Sequence, residues 1–380
     1  MKLLKGERGT RVNVAVLRRG VAGLLKFELT RDVIPTYSID IAFVPEPETG
    51  YIKLSKFSAT TAEELSEALI TLKSKGMKSL VLDLRGNTGG YLQAAIDVAD
   101  EFLPDGKLIV YTEGVNRPRQ IANATAKGLF EKGRLVVLID EGSASSSEIV
   151  AGALQDNDRA LIIGRRSFGK GLVQEQLSLP DGSAIRLTVA RYYTPTGRSI
   201  QKPYKNGQAD EYEHELYVRM AHGELENQDS IRFNDSLKYT TPGGKIVYGG
   251  GGIMPDVFLP VEKNENYAYY NQVMNKGLVY QFAFEYTDRN RKMLNAFENF
   301  GDFDQKFNIT PAIFQQFVAF AAKNEVKPVP AGIAFSEKEI SSLLKALIAR
   351  NIYDEKGFYP VYLRTDKTFI RAVEELKKMK

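Results

Sequence analysis

Three short apolar runs, SLVLDL at 79–84, RLVVLID at 134–140 and ALIIG at 160–164, each break into a turn of glycines and small residues. A strand that is apolar at nearly every position has both faces buried, which requires a parallel or mixed sheet covered by helices. The first run leads through RGNTGG into a helix-like stretch at about 91–103, and the second through EGSASSS into EIVAGALQD. The third leads through RRSFGKG into LVQEQLSL, which alternates at period two like another strand. A strand at 51–57 and a helix at about 61–75, capped by Thr60 or Thr61, precede these units. The fold class predicted from this alternation is α/β.

On either side the pattern changes. Residues 8–30 hold two strand-like runs, RVNVAVLRR and LLKFELT, separated by Gly20 and Gly23, too short a β segment to bury a core alone. From about 184 a strand-like IRLTVARYYT gives way to a polar excursion, roughly 202–245, closed by GGGGIMPDVFLP. An excursion of that length inside a domain is a functional or mobile element. Beyond 263 apolar and aromatic residues return at helical spacing, as in AIFQQFVAFAAK, so a separate helical region or tail is expected, its aromatics forming a core.

Composition removes several classes of function. Lys plus Arg number 51 against 47 acids with no basic block, which gives no case for nucleic acid. Cysteine is absent, so disulfides, thiolate metal sites and Cys nucleophiles drop out. The two histidines, His214 and His222, lie in an acid-rich stretch without a third ligand at compatible spacing. Neither a metal nor any other cofactor is expected, and acid–base chemistry falls to Lys, Tyr, Asp or Glu. No apolar run approaches the length of a membrane span. The first residues, MKLLKGERGT, lack the apolar centre of a signal peptide, so any address outside the cytoplasm is expected on sequence beyond this chain.

Three segments hold candidate chemistry. In EGSASSSEIVAGALQD, Ser143, Ser145 and Ser146 crowd a helix N-terminus, where unpaired N–H groups favour a developing negative charge. The same Ser145-x-x-Glu148 also reads as a capping box with no catalytic role. In RRSFGKGLVQ, Lys170 sits between two glycines beside Phe168, surroundings that disfavour its charged form and suit a general base; a surface lysine in a turn is the plainer reading. In DLRGNTGG, Gly89 or Gly90 could present an N–H to the same oxyanion, or merely start a helix. A phosphate loop is a weak rival: residues 164–170 fit G-x-x-x-x-G-K, but Gly171 replaces the Mg²⁺-holding Ser or Thr and no helix follows.

Taken together and in order, LVLDLRGNTGG, GSASSSEIVAGALQDNDRALIIG, RRSFGKGLVQ, RYYTPTGRSIQKP and GGGIMPDV resemble the carboxyl-terminal processing (tail-specific) proteases over about residues 36–260. The resemblance implies a crotonase/ClpP-like protease core with a mixed sheet at 34–262, a partial PDZ-like segment at 1–33 and a helical C-terminal region at 263–380. It makes Ser145, the middle serine of S-x-S-x-S-E, the nucleophile and Lys170 of F-G-K-G the base. Gln174 then supports the lysine, and the backbone N–H groups of Gly90 and Ser146 form the oxyanion hole, with Ser146 standing where relatives often carry Ala. The implied activity is cleavage near the C-termini of unfolded, tagged or cell-envelope proteins, in the periplasm or cell envelope. The implied partners are protein or peptide substrates, and the resemblance leaves room for a homo-oligomer or an activating partner. A non-catalytic peptide-binding protein on the same fold and a crotonase-like acyl-CoA enzyme are the alternatives.

Overall fold

The structure, a computed structural model, describes residues 3–18, 21–204, 207, 209–262 and 264–379. It divides into two compact units, 1–37 and 38–380. In the first, β1 (Arg11–Leu17) and β2 (Leu24–Thr30) pair as an antiparallel hairpin with Arg11 opposite Thr30. The turn includes Gly23 at φ +80, while Gly20 lies outside the described residues. Arg31 closes the open end, donating to the carbonyls of Leu4 and Arg11 and to Thr10 Oγ1.

The second unit begins with β3 (Ile39–Glu46), β4 (Thr49–Leu54), α1 (Thr61–Ser74), β5 (Ser79–Asp83) and α2 (Leu92–Asp100). There follow β6 (Leu108–Gly114), β7 (Arg117–Asn123), β8 (Arg134–Ile139), α3 (Ser146–Asp156) and β9 (Leu161–Gly164). Then come β10 (Leu172–Ser178), β11 (Ala184–Tyr193), α4 (Ala209–Ala221), β12 (Lys238–Thr240), β13 (Ile246–Tyr248) and β14 (Val257–Phe258). Eight helices complete the described chain: α5 (Ala268–Asn275), α6 (Leu278–Arg289), α7 (Arg291–Leu294), α8 (Phe300–Lys306), α9 (Pro311–Lys323), α10 (Pro330–Tyr353), α11 (Glu355–Tyr362) and α12 (Lys367–Lys378).

The central sheet is mixed, in the order β14-β9-β8-β5-β4-β3, with only the β3–β4 pair antiparallel. Side chains alternate across it, as a pleated strand requires. Leu80, Leu82, Leu135, Val137 and Ile162 enter one core with α1, α2 and α3. Val81, Val136, Leu138 and Ile163 enter another, closed by Leu363 and by Phe369, Ala372, Val373 and Leu376 of α12. The apolar runs are continuous because helices cover both faces, and the second cover comes from the last helix of the chain. The other C-terminal helices build their own aromatic-rich core around Phe282, Phe303, Phe314 and Phe317. A smaller antiparallel sheet, β10-β11-β6-β7, stands beside the main one, with β10 an exposed edge strand.

Two local expectations need correction. Thr60 occupies the N-cap position of α1, but its side chain forms no cap hydrogen bond; Thr60 Oγ1 donates instead to Glu64 Oε1 at 2.7 Å. The polar excursion at 202–245 is not a bare loop, since it holds α4 and the β12–β13 hairpin strand pair. Its helix lacks an apolar stripe because the face it buries is polar, with Arg219 buried and Glu215 half-buried.

Candidate active site

The chain leaves β8 at Ile139 and turns sharply into α3, and Ser145 is the residue at the corner. Its φ of +55 and ψ of −112 lie in a region that L-residues avoid. Such a conformation costs on the order of 1–3 kcal/mol and persists only where the surroundings over-determine it. The surroundings do so here. Ser143 Oγ donates to the Leu84 carbonyl at 2.9 Å, and Ala144 N–H and Ser147 Oγ both donate to the Asn87 carbonyl, at 3.0 and 2.7 Å. Ser146 Oγ reaches the Gly90 carbonyl at 3.1 Å and that of Tyr91 at 3.3 Å. The turn at 84–90 and the corner at 143–147 are thereby stitched into one body.

The glycines of that turn are steric necessities. A Cβ at Gly90 would lie 1.9 Å from the Phe57 carbonyl oxygen, and one at Gly89 would lie 2.8 Å from Ser145 Cβ and 2.9 Å from Ser146 N. Of the two, Gly89 spends its N–H on Asn87 Oδ1, at 2.9 Å. Among the described residues, neither the Gly90 N–H nor the Ser146 N–H has an acceptor. Two backbone donors without an acceptor thus stand on adjoining turns beside Ser145.

Glu148 ties this corner to the loop that carries Lys170. Its carboxylate is fully buried. Oε2 accepts from Ser145 N–H at 2.8 Å and from Lys170 N–H at 2.9 Å, while Oε1 accepts from Gly169 N–H at 2.7 Å and Ser167 Oγ at 2.5 Å. Burial pushes the Glu148 carboxyl above its ordinary range, and the four donors recover only part of that shift. The capping-box reading accounts for one of these four bonds; the other three cross to 167–170. Behind Lys170, Phe168 N–H donates to the Ser143 carbonyl at 3.0 Å, and Tyr192 Oη donates to the Lys170 carbonyl at 2.5 Å while standing 3.1 Å from that of Ser145. After Gly164 the chain runs through this loop into β10, not into a helix, which removes the phosphate-loop reading.

Ser145, Ser146, Gly90, Lys170 and Gln174 all line a single cavity of about 560 Å³, floored by Phe57, Ile149 and Tyr192. Ser143, singled out from the same motif as Ser145, is fully buried and does not line it. The lining side chains are not equally fixed. Lys170 is half-buried, so the dehydration expected around it is partial, and among the described residues its amine has neither an ion-pair nor a hydrogen-bond partner. Gln174 is exposed on β10, next to a bulge between Val173 and Gln174, and makes no hydrogen bond to Lys170.

A second buried carboxylate escaped the motif reading. Asp83, at the end of β5, accepts from Tyr51 Oη at 2.8 Å, from Lys53 Nζ at 3.3 Å and from Arg85 Nη2 at 2.6 Å. Arg85 in turn forms a two-point pair with Asp366, at 3.1 and 2.7 Å, and Asp366 caps α12 by accepting from Thr368 and Phe369 N–H. Burial alone would raise the Asp83 carboxyl; Arg85, and then Lys53, overcome it and hold it well below the usual carboxylate range. The signal was present in the sequence as an acid closing an apolar strand, two residues before an arginine.

Residues 48–209 match the model of peptidase family S41, and residues 269–354 match that of a family of unknown function. A carboxyl-terminal-processing protease of Synechocystis sp. is 38% identical over 254 residues, 66% of this chain and 58% of that protein. The carboxy-terminal processing protease CtpA of Bacillus subtilis is 38% identical over 200 residues, 53% of this chain and 42% of that protein. A solved photosystem II D1 C-terminal processing protease overlays 67% of this chain and 57% of its own, at 28% identity and a TM-score of 0.42. The chain spans about half the length of the curated relatives it matches. Residues 48–209 thus match a peptidase family S41 domain, and over that region the chain is similar to carboxyl-terminal processing proteases.

Proposed function

We propose that the chain is a serine endopeptidase that cuts near the C-termini of unfolded, tagged or cell-envelope proteins, with Ser145 as nucleophile and Lys170 as base. The observation that carries this reading is the shared cavity: Ser145, Lys170, Gly90 and Ser146 line one space, and the last two carry backbone N–H groups without an acceptor among the described residues. In the reaction, neutral Lys170 takes the proton of Ser145 Oγ as it attacks the scissile carbonyl. The oxyanion is received by Gly90 and Ser146 N–H, and Lys170 then passes the proton to the leaving amine. Water releases the acyl-enzyme by the reverse path. Gln174, which lines the same cavity, orients the amine.

The N-terminal hairpin is read as part of a PDZ-like substrate-recruiting module, and the site of action as the periplasm or cell envelope, both as the family resemblance implies. Two measurements test the proposal. Casein should be degraded by the wild-type chain and not by Ser145→Ala, and a fluorophosphonate should label the wild type at Ser145. Full activity in Lys170→Ala, or no labelling of a folded wild type, would overturn the assignment.

A further inference from the structure

Beyond Lys170 the catalytic cavity opens into a larger one of about 1150 Å³, and Lys170, Leu172 and Gln174 line both. Its wall is aromatic. Phe168 and Tyr212 meet edge to face at 6.0 Å, Tyr212 and Tyr204 at 5.7 Å, and Tyr193 stands among the lining residues, stacked on Tyr111 at 4.8 Å. Tyr204 is 53% exposed, so a large ring face is presented to the groove. Two of these rings, Tyr204 and Tyr212, belong to the polar excursion that follows Gln201.

That excursion is fastened to the back of the Lys170 loop. Lys202 Nζ is buried between Phe168, at 3.9 Å, and Tyr212, at 4.2 Å, and donates to the Tyr212 carbonyl at 2.8 Å and to Glu215 at 3.3 Å. Arg219 donates to the carbonyls of Ser167, at 3.0 Å, and Arg166, at 2.9 Å. Lys202 N–H donates to the Gly169 carbonyl at 2.9 Å. The aromatic wall is therefore held in register with the base and not left as a loose loop.

The chemistry fixes which part of a substrate lies here. The base returns its proton to the leaving amine, so the chain beyond the scissile bond departs on the Lys170 side of Ser145. We infer that this groove receives the segment released by cleavage and that Tyr204 and Tyr212 select bulky aromatic or apolar side chains in it. The inference rests on the proposed peptidase reading and names the specificity of that same site. Flat rings held rigidly offer large contact area with little ordering cost, which suits selection of one bulky side chain along an otherwise unstructured chain.

The test uses internally quenched peptides identical except for Phe or Ser at each of the first three positions after the scissile bond. Wild type should favour Phe at one of these positions by roughly tenfold in kcat/KM, the size expected of one well-placed apolar contact. The Phe-over-Ser ratio should fall toward one in Tyr204→Ala and be retained in Tyr204→Phe, which a general loss of folding would not produce. The same peptides, labelled and titrated against Ser145→Ala by fluorescence anisotropy, read the groove without catalysis. An unchanged ratio in Tyr204→Ala, or a preference confined to positions before the bond, overturns the inference while leaving the peptidase reading intact. Absence of cleavage with Tyr204-dependent binding of the Phe peptide would overturn the peptidase reading and keep the groove.

Discussion

The turn that carries Gly90 and the loop that carries Lys170 are each rooted in one buried carboxylate, and the two are held in opposite ways. Asp83 faces full charges, Arg85 and Lys53, and is pulled far down despite its burial. Glu148 faces only dipoles, three N–H groups and one hydroxyl, and is pushed up. The difference teaches a division of labour. The Asp83 network is a self-sufficient anchor that ties the 84–90 turn through Arg85 to the cap of α12. Glu148 is shared between the Ser145 corner and the Lys170 loop, so its state sets how those two backbones face each other.

Removing a cation from the first network should have the largest effect on folding. Arg85→Met leaves Asp83 in the core with Lys53 and Tyr51 alone and removes the partner of Asp366, and breaking a buried pair from one side costs about 3–5 kcal/mol. Denaturant unfolding measures it. A loss near that of an exposed ion pair such as Arg117–Glu175 would break the contrast, because it would mean that Asp83 can simply be neutralised where it sits.

Glu148→Gln should do the reverse. The amide keeps one acceptor and relieves the desolvation of a buried charge, so stability should change by no more than about 1 kcal/mol. With the amide oxygen toward Ser167 and Gly169, however, the NH₂ faces the Ser145 and Lys170 N–H groups, which only donate, and those two backbones lose their common acceptor. A fall in kcat of roughly 10–100-fold, with KM little changed, is the expected result. Unfolding on substitution, or full turnover, would show that the carboxylate is not what couples the two loops.

The same contrast predicts that acid inactivates before it unfolds. The Glu148 carboxyl is raised in the fold, so on acidification the native state takes up its proton before the unfolded chain does. Its contribution to stability is present below the ordinary value of 4.5 and lost as pH rises through the elevated one. Asp83 is depressed, so its contribution is present above 3.8 and lost as pH falls below that toward its folded value. Lowering pH from neutrality should therefore first reduce turnover reversibly, with far-UV circular dichroism unchanged, and unfold the protein only at lower pH. Coincident loss of activity and structure would contradict the separation.

Much of this architecture was legible in the sequence. Strands β5, β8 and β9 announce themselves because both of their faces are covered, and Gly90, Ser145 and Lys170 stand out because small residues and glycines interrupt those strands where backbone must come close. What was hidden depends on distance along the chain. Glu148 reads as a cap because its bond to Ser145 is local, whereas its bonds to Ser167, Gly169 and Lys170 bridge 19 to 22 positions. The Arg85–Asp366 pair spans 281 positions, and no local pattern marks it. Helix α4 was lost in a polar stretch because periodicity reports apolar burial, and what α4 buries is charge paired with charge.

The smallest effect should come from Ser146. Its hydroxyl reaches the carbonyls of Gly90 and Tyr91, so it ties the two halves of the proposed oxyanion site across the seam between the turns. The backbone N–H of residue 146 survives substitution by Ala, and the other ties, from Ala144 and Ser147 to Asn87, remain. Ser146→Ala should thus cost about 1 kcal/mol, one neutral hydrogen bond, divided between folding and transition-state stabilisation. Read as rate, the ceiling is about fivefold in kcat, since about 1.4 kcal/mol corresponds to a factor of ten. Kinetics on a single quenched peptide, with thermal unfolding alongside, separate the two shares. A loss of a hundredfold would mean that the side chain itself, and not only the N–H beside it, meets the oxyanion, and the even partition of the site between two backbone donors would have to be given up.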